Sequence, residues 1–495
     1  MNTHIIRFIL SRILYLEAAL LAFPLLIGVI YHETGADLFH FVIPLMLCLV
    51  LGKILDIDRQ KIDNFYYREA LLAVALVWVT VSAIGAIPLW LTPTNYHTYT
   101  DALFEMVSGF TTTGASVAND LEVLPHSILL WRSLSHFIGG MGVLVFALAL
   151  FPKSNPRASL IMKAEVTGPT FGKLVPRLSD TARILYGIYI GMTVVLTIFL
   201  LFGGMNLFDA VTHAMGAAGT GGFSNYNASV GHFHSRYIEV VLGIAMFFFG
   251  INFNLYYYAI INSIKDFFKS EELKVYFAIV TLATIAIIWN IWSLYDSAVY
   301  TPVSAFFTVT SIISTGGFVS ADFGQWPLFS KTILLILMFL GGCAGSTAGG
   351  FKISRMIITI KKLKNEILHV IDSKHVSVIR FEGKAIEPSV ENAIASYGLL
   401  YLVIVGISIL LINLQFPDLM SSTSAVLALF NNVGPGIGAY GPIANFLDAG
   451  TFSKWILILD MLIGRLEIYP MIALMLPRVW AQRRKRLVKI KSSSL

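Results

Sequence analysis

The amino-acid sequence predicts an all-α polytopic membrane protein, and three observations carry that expectation. Hydrophobic residues fill 56% of the 495 positions and charged residues 13%, against about 45–50% and about 25% in soluble domains. Mean hydropathy is +0.74. Apolar runs of the roughly 20 residues that a helix needs to cross a bilayer core recur along the chain. A secreted disulfide scaffold is excluded as well, because the two cysteines, Cys48 and Cys343, lie in apolar surroundings.

In chain order the runs fall near 13–31, 36–55, 70–91, 126–151, 183–203, 237–261, 275–295, 329–360, 393–415 and 452–477. Ten spans place both termini on one side of the membrane. The first run is long and closely followed by a second, so it does not read as a cleavable leader. Lys and Arg choose the side: 30 of 35 fall in the segments that would face the cytoplasm, from Arg7 and Arg12 to the tail Arg483-Arg484-Lys485-Arg486. Both termini are therefore expected in the cytoplasm. The basic tail reads as an anchor near acidic lipid, with no nucleic-acid role.

Between alternate spans lie four segments too short and too polar to cross. Each is a half-helix, a small-residue turn and an extended stretch. The half-helices begin near Asp101, Leu207, Pro302 and Ser424. The turns are Thr111-Thr112-Thr113-Gly114, Gly219-Thr220-Gly221-Gly222, Ser314-Thr315-Gly316-Gly317 and Asn431-Asn432-Val433-Gly434. With Gly114, Gly221, Gly316 and Gly434 as reference positions, the copies lie 107, 95 and 118 residues apart. The expected organisation is two N-terminal spans (1–60), then four span–pore helix–span repeats around a pseudo-fourfold pore. The repeats occupy 61–160, 161–270, 271–385 (with a broken second span) and 386–495, the last with the basic tail.

Backbone chemistry gives this pattern a purpose. Non-helical chain at membrane depth is tolerated only where protein buries it or water lines it. A half-helix ending there aims its negative dipole end at the membrane centre, which favours a cation. Glycine allows positive φ, so successive carbonyls can face one axis. Four such loops would form rings of oxygens that replace an ion's hydration shell.

The residues Thr111–Gly114, Gly219–Phe223, Ser314–Phe318 and Asn431–Gly436 resemble the four filter loops of the TrkH/TrkG/KtrB superfamily of potassium transporters. The two extra N-terminal spans make the chain more similar to the TrkH branch. The resemblance implies potassium uptake across the bacterial cytoplasmic (inner) membrane, with the ion as substrate. It also implies a homodimer and a cytosolic nucleotide-binding regulatory subunit of the TrkA type, so nucleotide is expected on a partner. By that comparison the ion-binding positions are Thr112, Thr113, Gly114, Gly219, Thr220, Gly221, Ser314, Thr315, Gly316, Asn432, Val433 and Gly434. The Thr-Val-Gly-Tyr-Gly run of potassium channels is absent, which implies weaker discrimination against sodium.

The expected span at 329–360 contains Gly341-Gly342-Cys343-Ala344-Gly345-Ser346-Thr347-Ala348-Gly349-Gly350. Its five glycines, each about 1 kcal/mol worse than Ala in a helix, argue against a straight span. The alternatives are close packing of small residues and an unwound loop. The run resembles the superfamily's intramembrane gate, and that resemblance adds Arg465, near the middle of the last run, as a fixed charge below the filter.

Other motifs carry less. Gly436-Ile437-Gly438-Ala439-Tyr440-Gly441 fits G-x-G-x-x-G but has prolines at both ends and no βαβ context. His232 and His234 read as a solvated loop. Asp101 and Asp209 read as first-turn residues favoured by the helix dipole. No nucleophile–base constellation marks an enzyme. The alternative function is a sodium-coupled symporter or a poorly selective monovalent cation transporter. A symporter with broken midplane helices would show two inverted repeats in place of four similarly oriented units.

Overall fold

A computed structural model describes residues 3–57, 67–92, 95–142, 178–261, 263–295, 297–372 and 378–480. The basic residues Arg59, Lys61, Lys153, Arg157, Lys163, Lys173, Arg177 and Arg483–Arg486 lie outside these, as does the second half of the run at 126–151.

Among the described residues the chain folds as helices, with one short hairpin, β1 (Arg380–Phe381) and β2 (Lys384–Ala385). Helices α1 (Thr3–Ile30) and α2 (Gly35–Leu55) form an antiparallel pair. The Ser11 hydroxyl donates to the Gly52 carbonyl at 2.7 Å, and Gly28 sits against Leu38 at the other end. Pro24 and Pro44 lie inside these helices, as membrane helices tolerate. Phe39, Ile43, Met46, Val50 and Ile54 on α2 are exposed, which is the surface a lipid-facing helix should present.

The remaining helices repeat one theme. The first copy comprises α3 (Tyr67–Gly85) with its extension α4 (Ile87–Trp90), half-helix α5 (Tyr99–Phe110) and trailing helix α6 (His126–Gly140). In the second, α7 (Leu178–Phe202) and half-helix α8 (Leu207–Gly219) precede α9 (Arg236–Phe249), α10 (Phe253–Ile261) and α11 (Ile264–Lys269). The third runs α12 (Glu271–Tyr295), half-helix α13 (Tyr300–Ile313), α14 (Leu328–Leu340) and α15 (Ile353–Ile371). The fourth runs α16 (Pro388–Ile412), half-helix α17 (Leu419–Phe430), α18 (Thr451–Arg465), α19 (Tyr469–Met475) and α20 (Pro477–Trp480).

Side-chain oxygens start three of the half-helices by accepting from first-turn N–H groups: Thr98 for α5, Asn206 for α8 and Asp418 for α17. Each half-helix also packs on the trailing helix of the preceding copy. Thus α8 meets α6, α13 meets α9, α17 meets α14, and α5 meets α18, which closes the circle.

Among the described residues, six helices are long and apolar enough to span a membrane, and the pair α9 and α10, bent by 87°, passes the same test only when taken together. The break expected in the second span of the third repeat has two counterparts. Trailing helices break at Gly250–Asn252 and at Leu466–Ile468 as well as in the Gly-rich run. At the second of these breaks the backbone leaves the helical region, with φ of 57° and 68° at Glu467 and Ile468; at the first, Gly250 caps α9 with right-handed backbone.

Candidate functional site

The four half-helices deliver four turns of one conformation to one place. In each turn two residues have positive φ, separated by one that does not: Thr112 and Gly114, Thr220 and Gly222, Thr315 and Gly317, Asn432 and Gly434. This register corrects the reference positions in two copies. Gly222 and Gly317, not Gly221 and Gly316, are the counterparts of Gly114 and Gly434. Gly219 and Ser314 belong to the helix ends, as the last residue of α8 and the cap of α13. A left-handed Thr is uncommon and costs about 1–3 kcal/mol. Three Thr and an Asn share that strain at equivalent positions.

The turns touch in cyclic order. A Cβ on Gly114 would overlap the Gly221 carbonyl oxygen, and one on Gly222 would meet the Gly316 oxygen at 2.5 Å. One on Gly317 would meet the Val433 oxygen, and one on Gly434 the Thr113 oxygen, each at 2.5 Å. The carbonyl of the middle residue in one turn therefore abuts the left-handed glycine of a neighbour, all the way round. No side chain fits at these four points. Asn432 Nδ2 also donates to Thr113 Oγ1 at 2.9 Å, tying the fourth turn to the first.

Behind the first two turns sits a buried ion pair. Arg132 Nη2 lies 2.8 Å from Glu105 Oε1, both side chains at most 1% exposed. Glu105 accepts from the Val117 N–H at 2.8 Å and the Ser116 hydroxyl at 2.9 Å. Arg132 donates to the Ser224 carbonyl at 3.1 Å and covers the Phe223 ring at 4.1 Å. The pair thus splints the extended stretches after the first two turns. Removing one partner of such a pair typically costs about 3–5 kcal/mol. Glu105→Ala should accordingly lower the thermal unfolding midpoint in detergent markedly, while Arg12→Ala, at a pair with Asp56 whose two side chains are 41% and 40% exposed, should barely move it.

The Gly-rich run is an unwound loop packed under the turns. Gly341, Gly345, Gly350 and Lys352 have positive φ, and Gly341 and Gly350 face each other at its base. The Gly349 N–H donates to Thr315 Oγ1 at 2.8 Å, and a Cβ on Gly349 would overlap the Asn431 carbonyl. Part of the loop's remaining backbone is satisfied by the break in the second copy. Gly250 O accepts from Cys343 N–H at 3.0 Å, and Phe253 N–H donates to Gly345 O at 3.0 Å. Gly342 leaves room for that approach. Thr347 Oγ1 donates to the Phe249 carbonyl at 3.2 Å and Ser346 Oγ to Cys343 O at 2.7 Å. Two irregular segments thus satisfy part of each other's hydrogen bonding.

Arg465 ends α18 where the last trailing helix breaks. Its guanidinium donates to Thr347 O at 2.8 Å, Gly139 O at 2.5 Å and Gly140 O at 2.9 Å. It joins the Gly-rich loop to the carbonyl end of α6. The neighbouring acids are committed elsewhere: Glu467 pairs with Arg355, and Asp460 accepts from Ser408 at 2.7 Å. Sequence spacing had no means of finding these partners, which are more than 100 residues away for Arg465 and Glu467.

Asp101 binds Lys454 at 2.7 Å besides capping its helix. His232 is exposed and stacks on Tyr226. Gly438–Tyr440 is a short 3-10 turn, not a dinucleotide loop.

Known proteins resemble this arrangement over nearly its whole length. The TrkH family, described as cation transport protein, matches residues 37–480. The Trk system potassium uptake protein TrkH of Salmonella typhimurium is 33% identical over 479 residues, 96% of this chain and 98% of the relative. The Trk system potassium uptake protein TrkG of Escherichia coli is 32% identical, covering 92% of this chain and 94% of the relative. The crystal structure of the potassium transporter TrkH from Vibrio parahaemolyticus superposes with a TM-score of 0.86 at 30% identity, over 97% of this chain and 100% of that one. The chain is a transporter and not an enzyme, and it belongs to the TrkH family of cation transport proteins.

Proposed function

We propose that this chain takes up potassium across the bacterial cytoplasmic membrane through a pore on the axis of the four turns. The single observation that carries the reading is the closed ring, in which four strained turns press carbonyl against glycine in cyclic order. Carbonyls of 112–114, 220–222, 315–317 and 432–434 form the selectivity filter and replace the ion's hydration shell. The Gly-rich loop and Arg465 form the gate, since the loop touches the third and fourth turns and a guanidinium fixes it there. Both termini face the cytoplasm, following the distribution of Lys and Arg. The repeats divide at 61–160, 161–270, 271–385 and 386–495. The chain works as a homodimer with a TrkA-type subunit that carries the nucleotide, a reading that rests on the resemblance.

Rubidium uptake into potassium-starved cells tests this directly. Cells expressing the chain should accumulate rubidium well above vector controls, with excess potassium competing and equal sodium competing much less. Equal competition by sodium would favour the poorly selective cation transporter.

A further inference from the structure

Glu272 lies at the start of α12, 4% exposed. Its Oε1 accepts from the Ala344 N–H at 2.8 Å and from the Ser354 N–H at 3.0 Å. One carboxylate oxygen thereby grips the Gly-rich loop inside its first half and again just past its end. The next contact runs outward. Glu382 Oε1 accepts from the N–H of Glu272 at 3.0 Å and from the Ser270 hydroxyl at 2.7 Å. It caps the helix whose second residue does the gripping.

Glu382 occupies an unfavourable place to do this. It and Gly383 form the two-residue turn between β1 and β2, with φ of 50° and 74°. Two positive φ values define the hairpin turn that prefers Asn-Gly. A Glu at the first position is a strained choice, and its cap on α12 accounts for it. The hairpin turn itself is exposed, while Ile379, Phe381 and Ile386 are buried beneath it. Lys361 of α15, the helix leaving the loop, adds a tie: its Nζ lies 2.5 Å from Glu271 and donates to Arg380 O at 2.7 Å.

We propose that Glu272 and Glu382 form a two-stage clamp that holds the Gly-rich loop in its packed position, with the exposed hairpin as the outer handle. Glu272 is the positioning residue for the loop, and Glu382 positions Glu272. Displacing the hairpin uncaps α12, shifts Glu272 and frees both loop N–H groups together. The clamp concerns what holds the loop; that the loop gates an ion path rests on the function proposed above.

The loop carries its own reporter. Cys343 is fully buried there, and the other cysteine, Cys48, is fully buried between α1 and α2. In a Cys48→Ser background, the rate at which a charged methanethiosulfonate labels Cys343 is measured in inside-out vesicles. Glu382→Asn suits the turn better but is too short for the cap, so it should label at least about threefold faster. Glu272→Ala, losing two hydrogen bonds to a charged acceptor, should label at least about tenfold faster. Glu272→Gln keeps an acceptor and should stay within about twofold of the parent. A parental rate for Glu382→Asn overturns the clamp however Glu272→Ala folds. So does equal acceleration at Cys48 in a Cys343→Ser background, which would mean general loosening. Rubidium flux on the same vesicles separates the two ideas: faster labelling at unchanged flux supports the clamp and removes the gate.

Discussion

Gly317→Ala should abolish most discrimination between potassium and sodium, whereas Gly316→Ala one residue earlier should leave most of it. At 317 the backbone has φ of +68° and a Cβ meets the Val433 carbonyl at 2.5 Å. Neither partner is a flexible side chain, so a turn must move. At 316 φ is ordinary, and the Cβ meets Met246 Sδ at 2.5 Å, the end of a thioether that can swing away. A left-handed L-residue costs about 1–2 kcal/mol before the clash is counted. A turn displaced to relieve this strain moves its carbonyls away from the ion they coordinate, so the potassium-to-sodium permeability ratio should fall by about tenfold or more. Flux of each ion into proteoliposomes, at matched protein density, measures the ratio. Equal behaviour of the two variants would return the register to Gly221 and Gly316 and undo the cyclic contact pattern.

Arg465→Ala should raise partner-free rubidium flux by about tenfold or more and leave the potassium-to-sodium ratio nearly unchanged. The guanidinium satisfies three carbonyls, two of them at the end of α6 and one on the Gly-rich loop. Hydrogen bonds to a charged group are worth about 1.5–3 kcal/mol each. Losing them releases the loop from α6 and, on the gate proposed above, removes a positive charge from the cation's route. Arg465→Lys should fall between, because one ammonium cannot reproduce the planar fork across three acceptors. Reduced flux from well-folded Arg465→Ala would make the residue a structural staple and exclude it from the barrier.

The half-helices were legible because three of them begin with a recognisable signal, such as Asn206 with Asp209 three residues on, and all four end in small polar or glycine-rich turns. The register was not. In Gly219-Thr220-Gly221-Gly222 and Ser314-Thr315-Gly316-Gly317, two adjacent glycines can each take positive φ, and composition cannot choose between them. The signal that chooses is the preceding Thr or Asn: Thr112, Thr220, Thr315 and Asn432 share one strained conformation, and the glycine two positions on follows from it. The break at 250–252 was hidden inside an apolar run. Its clue is Gly250 followed by Asn252, whose Oδ1 accepts from the Asn254 N–H at 3.0 Å and opens α10. The contact of Arg465 with Gly139 crosses between helices that only the closed ring brings together, and the pairing of Arg132 with Glu105 depends on how α5 and α6 pack within the first copy. Glycine content argued against a straight helix in the Gly-rich run but left close packing open beside an unwound loop, and the fit under Thr315 and Asn431 depends on the turns above it.

Anomalous scattering from crystals grown in rubidium tests the central claim most directly, because it locates the ion without reference to any variant. The account predicts rubidium density on the axis of the four turns, ringed by the carbonyls of 112–114, 220–222, 315–317 and 432–434, with the Gly-rich loop and Arg465 on one side of it. Rubidium ordered elsewhere in the membrane region, with no density between the turns, would contradict it.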